Sequence, residues 1–327
     1  MIIIESINKK LWNIEFKVVD IIQEAITSDN DIIISLNNEG PCLRSCKLYD
    51  ILDVICQSFS IDKKRFTIYT LNNEEWNDEY HIIINNNVWI DNAKTKNSMA
   101  EIKNTDLLTI GCFVGQVNWP RLAFVSWLDH YYKNQSIITC HYDANLIRHI
   151  LRLDLNDITT ELPNETTTVI DFLKTCPRKM PESDLPYGKL INPKFETISN
   201  VSNFSKTNAY FFVELVCESY YSGITFFPTE KTFRPITQLT PFIVFGPQGY
   251  LANLQRCGFK TFDAYWDERY DNMSEKNRVI EIRKILTKLF TYTSKQMTEM
   301  YQDMLPILQY NKDRLAEITY QDLKLVK

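Results

Sequence analysis

Twice along this chain a short apolar run is followed by a segment with apolar residues at helical spacing, and that alternation leaves few folds open. Residues 1–5 and 31–36 read as strands, and Phe16, Val19, Ile21, Ile22 and Ala25 give an apolar helical face between them. Leu48, Ile51, Leu52, Ile55 and Phe59 predict a second helix, followed by strands over 66–70 and 81–84. Strands joined through helices need crossover connections and so run parallel. The expectation is an α/β fold of two Rossmann-like lobes with mostly parallel sheets.

The pattern restarts with an apolar strand over 108–114, the turn Gly115-Gln-Val-Asn118-Trp-Pro-Arg121, an amphipathic run over 122–132 and a strand over 137–140. The polar stretch 92–106 lies between the two halves, so the lobe boundary is expected near residue 105, with lobes of 1–105 and 106–327. Five of the twelve prolines fall between residues 162 and 195, which predicts a long excursion with short elements at most. A near-continuous apolar strand over 209–216 suits the middle of a parallel sheet, and a further strand follows over 241–246. A short helix over 250–256 ends at Gly258, and Ser274 is the expected N-cap of closing helices over 275–293 and 295–310.

With 327 residues the chain has room for two such cores, and its 44% apolar and 24% charged residues are near globular averages. No apolar run reaches the roughly 18 residues that span a bilayer, and the N-terminus lacks a basic-then-apolar leader. The expectation is a cytoplasmic protein without a membrane span. Among eight cysteines only Cys42 and Cys46 are close, without a second pair or histidines at zinc spacing, so reduced thiols are expected. Asp29-Asn-Asp31 is the one Asp-x-Asp match, and it precedes its strand, on the wrong edge of a parallel sheet for a ligand. No metal site is expected. A net charge of −5 opposes non-specific nucleic-acid binding, leaving nucleic acid only as an acceptor.

The richest stretch for chemistry is Glu218-Ser-Tyr-Tyr-Ser-Gly-Ile-Thr-Phe-Phe-Pro-Thr229-Glu230-Lys231. It starts at the carboxyl end of a predicted central strand, the edge where open α/β sheets bind ligands. Thr229 is a candidate N-cap of a helix starting at Glu230. Helix N-termini favour anions, Lys231 adds a full charge suited to a diphosphate, and nearby carboxylates can accept from ribose hydroxyls. The competing reading is a Glu-Lys pair on a solvated first turn.

These residues resemble the α1,3-fucosyltransferases and related GT-B glycosyltransferases. In that family a strand leads to Glu-Asn-Ser, then a loop, a Thr-Glu-Lys helix start and a Pro-Val-Val strand. Here Glu218-Ser219, Thr229-Glu230-Lys231 and Pro241-Phe-Ile-Val-Phe-Gly246 stand in that order. The resemblance implies a nucleoside diphosphate sugar as donor, no cofactor or metal, and an arginine in the first loop of the second lobe that contacts the donor phosphates. Arg121, after Asn118, is similar in position; its alternative is a surface salt bridge. The family's Asn is missing after Glu218, and Pro235 falls inside the expected helix. Gly258-Phe-Lys-Thr-Phe262 with Asp267-Glu-Arg-Tyr-Asp271 is similar to stretches in glycosyltransferase-like proteins of viruses and bacteria, although its acids also suit a solvated loop.

The first lobe should then supply the acceptor site and a general base. Glu39, directly after a predicted strand and before Gly40-Pro41, is the candidate, against the reading of a simple turn residue. Asn72, Glu74 and Glu75 stand in reserve at the next strand end. The expected reaction is inverting sugar transfer to a glycan or other hydroxyl acceptor. Two alternatives remain open: glycosylation of a modified base in phage DNA, and a catalytically idle nucleotide- or glycan-binding protein.

Overall fold

A computed structural model describes residues 1–3, 12–36, 39–85, 88–95, 103, 107–146, 155–178 and 205–323. Two four-stranded sheets, each wholly parallel, organise them.

The first sheet holds β1 (Ile2–Ile3), β2 (Ile32–Ser35), β3 (Phe66–Thr70) and β4 (His81–Ile84) in that spatial order. Helix α1 (Trp12–Thr27) connects β1 to β2, and α2 (Leu48–Phe59) connects β2 to β3. Ile32, Ile34, Phe66 and Ile68 point to one face, where Ile21, Ala25, Leu48, Leu52 and Ile55 cover them. The residues between them in β2 and β3 are only half-buried, the alternation of a sheet with one well-packed face.

After α3 (Val88–Thr95) the second sheet begins with β5 (Leu108–Val114), α4 (Trp119–Tyr132) and β6 (Ser136–Cys140). Among the described residues α5 (Leu155–Glu161), α6 (Thr166–Lys174) and α7 (Ser205–Asn208) follow, then β7 (Phe211–Cys217), α8 (Glu230–Thr237) and β8 (Phe242–Phe245). Helices α9 (Tyr250–Arg256), α10 (Glu275–Leu289), α11 (Ser294–Glu317) and α12 (Tyr320–Leu323) complete the described chain. The strand order is β6-β5-β7-β8, so the winding direction reverses between β6 and β7. The carboxyl ends of β5 and β7 therefore flank a switch point, the position where open α/β sheets hold ligands. Every residue of β7 is buried, which explains its near-continuous apolar run. Its one acid, Glu214, accepts a hydrogen bond from Nε of Arg234 in α8 at 3.1 Å, so a buried ion pair fastens helix to strand.

The α/β architecture with two parallel sheets agrees with the sequence expectation, with shifted bounds. The strand expected at 209–216 runs over Phe211–Cys217, because Tyr210 N–H donates to Thr207 and closes the turn after α7. The helix expected over 295–310 continues to Glu317. Pro306 does not stop it because it lies on the solvent side, where water can serve the carbonyl left without a donor. Met297, Tyr301, Met304, Leu308, Asn311 and Leu315 form its buried stripe. Asn311 fits there because its amide donates to the Lys260 carbonyl at 2.8 Å and accepts from the Lys260 N–H at 2.7 Å. Of the proline-rich 162–195, α6 occupies part, and 179–195 lies outside the described residues.

Residue 105, the expected boundary, also lies outside the described residues. Ile90 and Ala93 of α3 are nevertheless part of the second core, where α3 packs on α8 and α11. No helix among the described residues is long and apolar enough to cross a membrane.

Candidate functional site

Three strand ends converge where the two sheets meet. From β2 the chain leads to Glu39-Gly-Pro-Cys-Leu43, from β3 to Leu71-Asn-Asn-Glu-Glu75, and from β7 to a loop over 218–228 that reaches across to both. Asn72 donates to the Ile224 carbonyl at 3.0 Å and accepts from the Phe226 N–H at 2.9 Å. Asn73 donates twice to the Phe226 carbonyl, from its backbone at 2.9 Å and its amide at 3.1 Å. Thr225 donates to the Gly40 carbonyl. At Gly40 a Cβ would come within 2.7 Å of the Phe227 ring, so only glycine allows this approach.

Within this seam the Tyr220 hydroxyl donates to Oε2 of Glu39 at 2.9 Å. Burial raises the Glu39 pKa above the usual carboxylate range; the Tyr220 hydrogen bond and the charge of Lys231 oppose it, and Glu230 adds to it. Glu39 of the first sheet and the Glu230–Lys231 pair of the second are linked through neighbouring residues of the loop after β7, Tyr220 on Glu39 and Ser219 on Lys231. Lys231 Nζ donates to Oε1 of Glu230 at 2.6 Å, to Oγ1 of Thr229 at 3.2 Å and to Oγ of Ser219 at 3.3 Å. Burial alone would raise Glu230, but the Lys231 charge and hydrogen bond outweigh it and leave its carboxyl lowered.

Glu218 occupies the centre of a closed network instead. Its Oε1 accepts from Thr229 N–H at 3.1 Å, Thr232 Oγ1 at 2.6 Å and Tyr250 Oη at 3.0 Å. Its Oε2 accepts from Thr229 Oγ1 at 2.7 Å and Ser219 N–H at 3.2 Å. This carboxylate is 2% exposed, and its partners join the end of β7 to the first turns of α8 and α9. Thr229 is the N-cap of α8 as expected, its hydroxyl accepting from Lys231 N–H at 3.3 Å.

Asn118 caps α4, accepting from Arg121 N–H at 3.1 Å. Arg121 is at the switch point, but its guanidinium faces inward, donating to the carbonyls of Gln116, Cys217 and Glu218 at 2.7, 3.0 and 2.8 Å. It is not a surface salt bridge; its donors serve backbone at the turn before α4 and at the start of the loop after β7. Among the reserve residues, Glu75 is held by Leu43 N–H, the Tyr49 hydroxyl and Asn72, and Glu74 N–H donates to Asn72. Around 258–271, Asp271 accepts from Leu251 and Ala252 at the start of α9, and Glu268 accepts from Phe262 N–H. These two acids hold backbone rather than decorate a solvated loop.

The structure therefore gathers Glu39, Glu230 and Lys231 around the loop after β7, with Thr229 bonded to Lys231 and Glu218, and turns Arg121, Asn118 and Glu218 to internal bonds. Tyr220 is the residue that sequence reasoning missed, although it lies in the very loop the sequence singled out. Among the described residues no group of three or more His, Cys, Asp or Glu is arranged to hold a metal ion. Two open surface cavities, of about 350 and 230 Å³, lie along α10 and share no lining residue with the seam. Convergence of charge at strand ends is the better guide to chemistry here, because the first cavity is lined by side chains of two helices alone and neither touches a strand end. The chain matches no family model, no curated protein and no solved structure.

Proposed function

We infer that the chain is a glycosyltransferase that moves a sugar from a nucleoside diphosphate donor to a hydroxyl acceptor at the seam between its sheets. One observation carries this reading: Glu39, the carboxylate suited to act as base, and Lys231, the cation suited to the diphosphate, are held by adjacent residues of one loop, Glu39 by the Tyr220 hydroxyl at 2.9 Å and Lys231 by the Ser219 hydroxyl at 3.3 Å. The resemblance of Thr229-Glu230-Lys231 and its flanking strands to the GT-B fucosyltransferases supports it. So does a second sheet whose winding reverses beside the same loop.

In this reading the donor phosphates take the place of the Glu230 carboxylate on Lys231, which frees Glu230 for the donor's hydroxyls. The acceptor oxygen gives its proton to Glu39 and bonds to the anomeric carbon. The bond from that carbon to the diphosphate breaks, and the diphosphate leaves with the electron pair beside the Lys231 charge. A base whose pKa is raised by burial holds the proton more firmly than an exposed carboxylate would.

The test is thermal unfolding with UDP, GDP and CDP. Saturation at about 100 times the dissociation constant should add about 2.7 kcal/mol, a rise of several degrees. Lys231→Ala, which removes a partly exposed side chain, should lower that affinity by about 10-fold to 150-fold while the protein stays folded. The absence of any shift at millimolar nucleotide counts against the reading. Arg121 and Glu218 are both engaged in internal bonds, which favours as a second reading a catalytically idle nucleotide-binding protein. Donor hydrolysis separates the two, since an idle protein binds the nucleotide without releasing sugar.

A further inference from the structure

Two buried arginines grip the loop after β7 where it leaves the strand. Nη2 of Arg121, near the start of α4, donates to the carbonyls of Cys217 at 3.0 Å and Glu218 at 2.8 Å. Nη2 of Arg278, in the first turn of α10, donates to the Tyr221 carbonyl at 2.6 Å, and its Nη1 donates to the Met273 carbonyl at 2.6 Å. Between Glu218 and Tyr221 stand only Ser219 and Tyr220, the residues whose hydroxyls meet Lys231 at 3.3 Å and Glu39 at 2.9 Å. The Tyr221 ring completes the grip, packed against Trp119 at the start of α4 and Phe245 at the end of β8, with centroids 6.1 and 6.0 Å away.

Arg278 is costly for the fold alone. It is 1% exposed, its guanidinium lies 5.4 Å from the centre of the Phe245 ring, and its Nε has no hydrogen-bond partner. Its hydrogen bonds go to carbonyls alone, as do those of the Arg121 guanidinium. A buried cation without a bonded carboxylate costs stability that an apolar side chain would not. What an arginine adds is a planar fork whose donors leave in fixed directions and tie two backbone segments at once. Arg121 ties the turn before α4 to the end of β7, and Arg278 ties the entry of α10 to the loop.

We propose that Arg278, with Arg121 holding the other end of the same short span, is a positioning residue for the seam: it fixes Tyr220, and Tyr220 sets the Glu39 carboxylate. The proposal rests on the reading of Glu39 as the base. Neither guanidinium bonds to Glu39 or Lys231, so both act through the loop. Lys231 keeps Thr229 and Glu230 as partners at its own helix start, whereas the Glu39 carboxylate has Tyr220 as its hydrogen-bond partner among the described residues. Loosening the grip therefore acts on the base more than on the cation, and so on turnover more than on nucleotide affinity.

The experiment compares Arg278→Lys, which keeps the charge and loses the fork, with Tyr220→Phe and the double variant. The Glu39 carboxyl is titrated by carbon NMR on the full chain labelled at glutamate, with Glu39→Gln to assign it. Tyr220, Lys231 and Glu230 are the groups that act on Glu39, and Arg278→Lys alters none of them. It should move the Glu39 midpoint to higher pH, as Tyr220→Phe does, and the double variant should move it no further than Tyr220→Phe alone. Single-turnover transfer should fall about tenfold to 100-fold, while affinity for UDP, GDP or CDP stays within about twofold. An unmoved midpoint in folded Arg278→Lys, or a full second shift in the double variant, overturns the proposal. If Arg278→Lys does not fold, Arg121→Lys loosens the other end of the span and is judged by the same outcomes. A moved midpoint in a chain whose wild type transfers no sugar upholds the positioning role and removes the transferase reading.

Discussion

The Tyr220–Glu39 hydrogen bond separates two accounts of the carboxylate. It favours the ionised form, so Tyr220→Phe should raise the Glu39 pKa further. A base must be ionised to accept a proton, so the acidic limb of the turnover profile should move to higher pH; an unmoved profile removes Glu39 from the chemistry. Glu39→Gln should reduce turnover by about 10² to 10⁴ while nucleotide affinity persists, read by single-turnover transfer and calorimetry on the same preparation. Glu218 invites the opposite outcome. Glutamine there would turn an amide toward hydroxyl and amide donors, and chemical denaturation should report a loss on the order of 3 kcal/mol. Unchanged stability with weakened nucleotide binding would make it a ligand contact after all. The sequence singled out both acids but could not assign their roles. A carboxylate after a strand reads the same whether it faces a ligand or its own loop, and Tyr250, one of the partners that decides for Glu218, lies 32 positions away.

Strands and helices were the most legible level, because a period of two or of 3.6 is a local property of the chain. What escaped were features whose cause is a distant partner. The length of α11 depends on Asn311 meeting Lys260, and a polar residue in an apolar stripe looks from sequence like an end. Lys103 is a second case. Its ammonium reaches the Phe211 carbonyl at 2.8 Å and Thr240 Oγ1 at 3.1 Å, fastening the starts of β7 and β8. Burial lowers its pKa to about 7, from 10.5 when unfolded, with Glu214 opposing the shift. Between those values the unfolded chain holds the extra proton, so stability from this group rises with pH. Lys103→Met should remove that rise, so wild type should gain stability relative to the variant between about pH 7 and pH 8 in urea titrations. Parallel curves would mean that Lys103 stays charged in the fold.

On the scale of the molecule, two parallel sheets were readable from the restart of the strand-helix pattern; the way the sheets join was not. The loop after β7 is built into the ends of β2 and β3 through Asn72, Asn73, Thr225 and the close approach at Gly40. Gly40→Ala should cost about 1–3 kcal/mol by overpacking against Phe227, seen as a lower denaturation midpoint; an unchanged midpoint would mean that the seam yields freely. The same seam imposes an order of events at the ribosome. The bonds that complete the first sheet's strand ends join residues 152 to 154 positions apart. At about 5–20 residues per second, Asn72 and Asn73 wait roughly 8–30 seconds after their own synthesis for the partners that cover them. During that interval the first half is a nascent domain with an uncapped edge, exposed to chaperones and proteases, and its maturation is timed by translation of a loop from the other half.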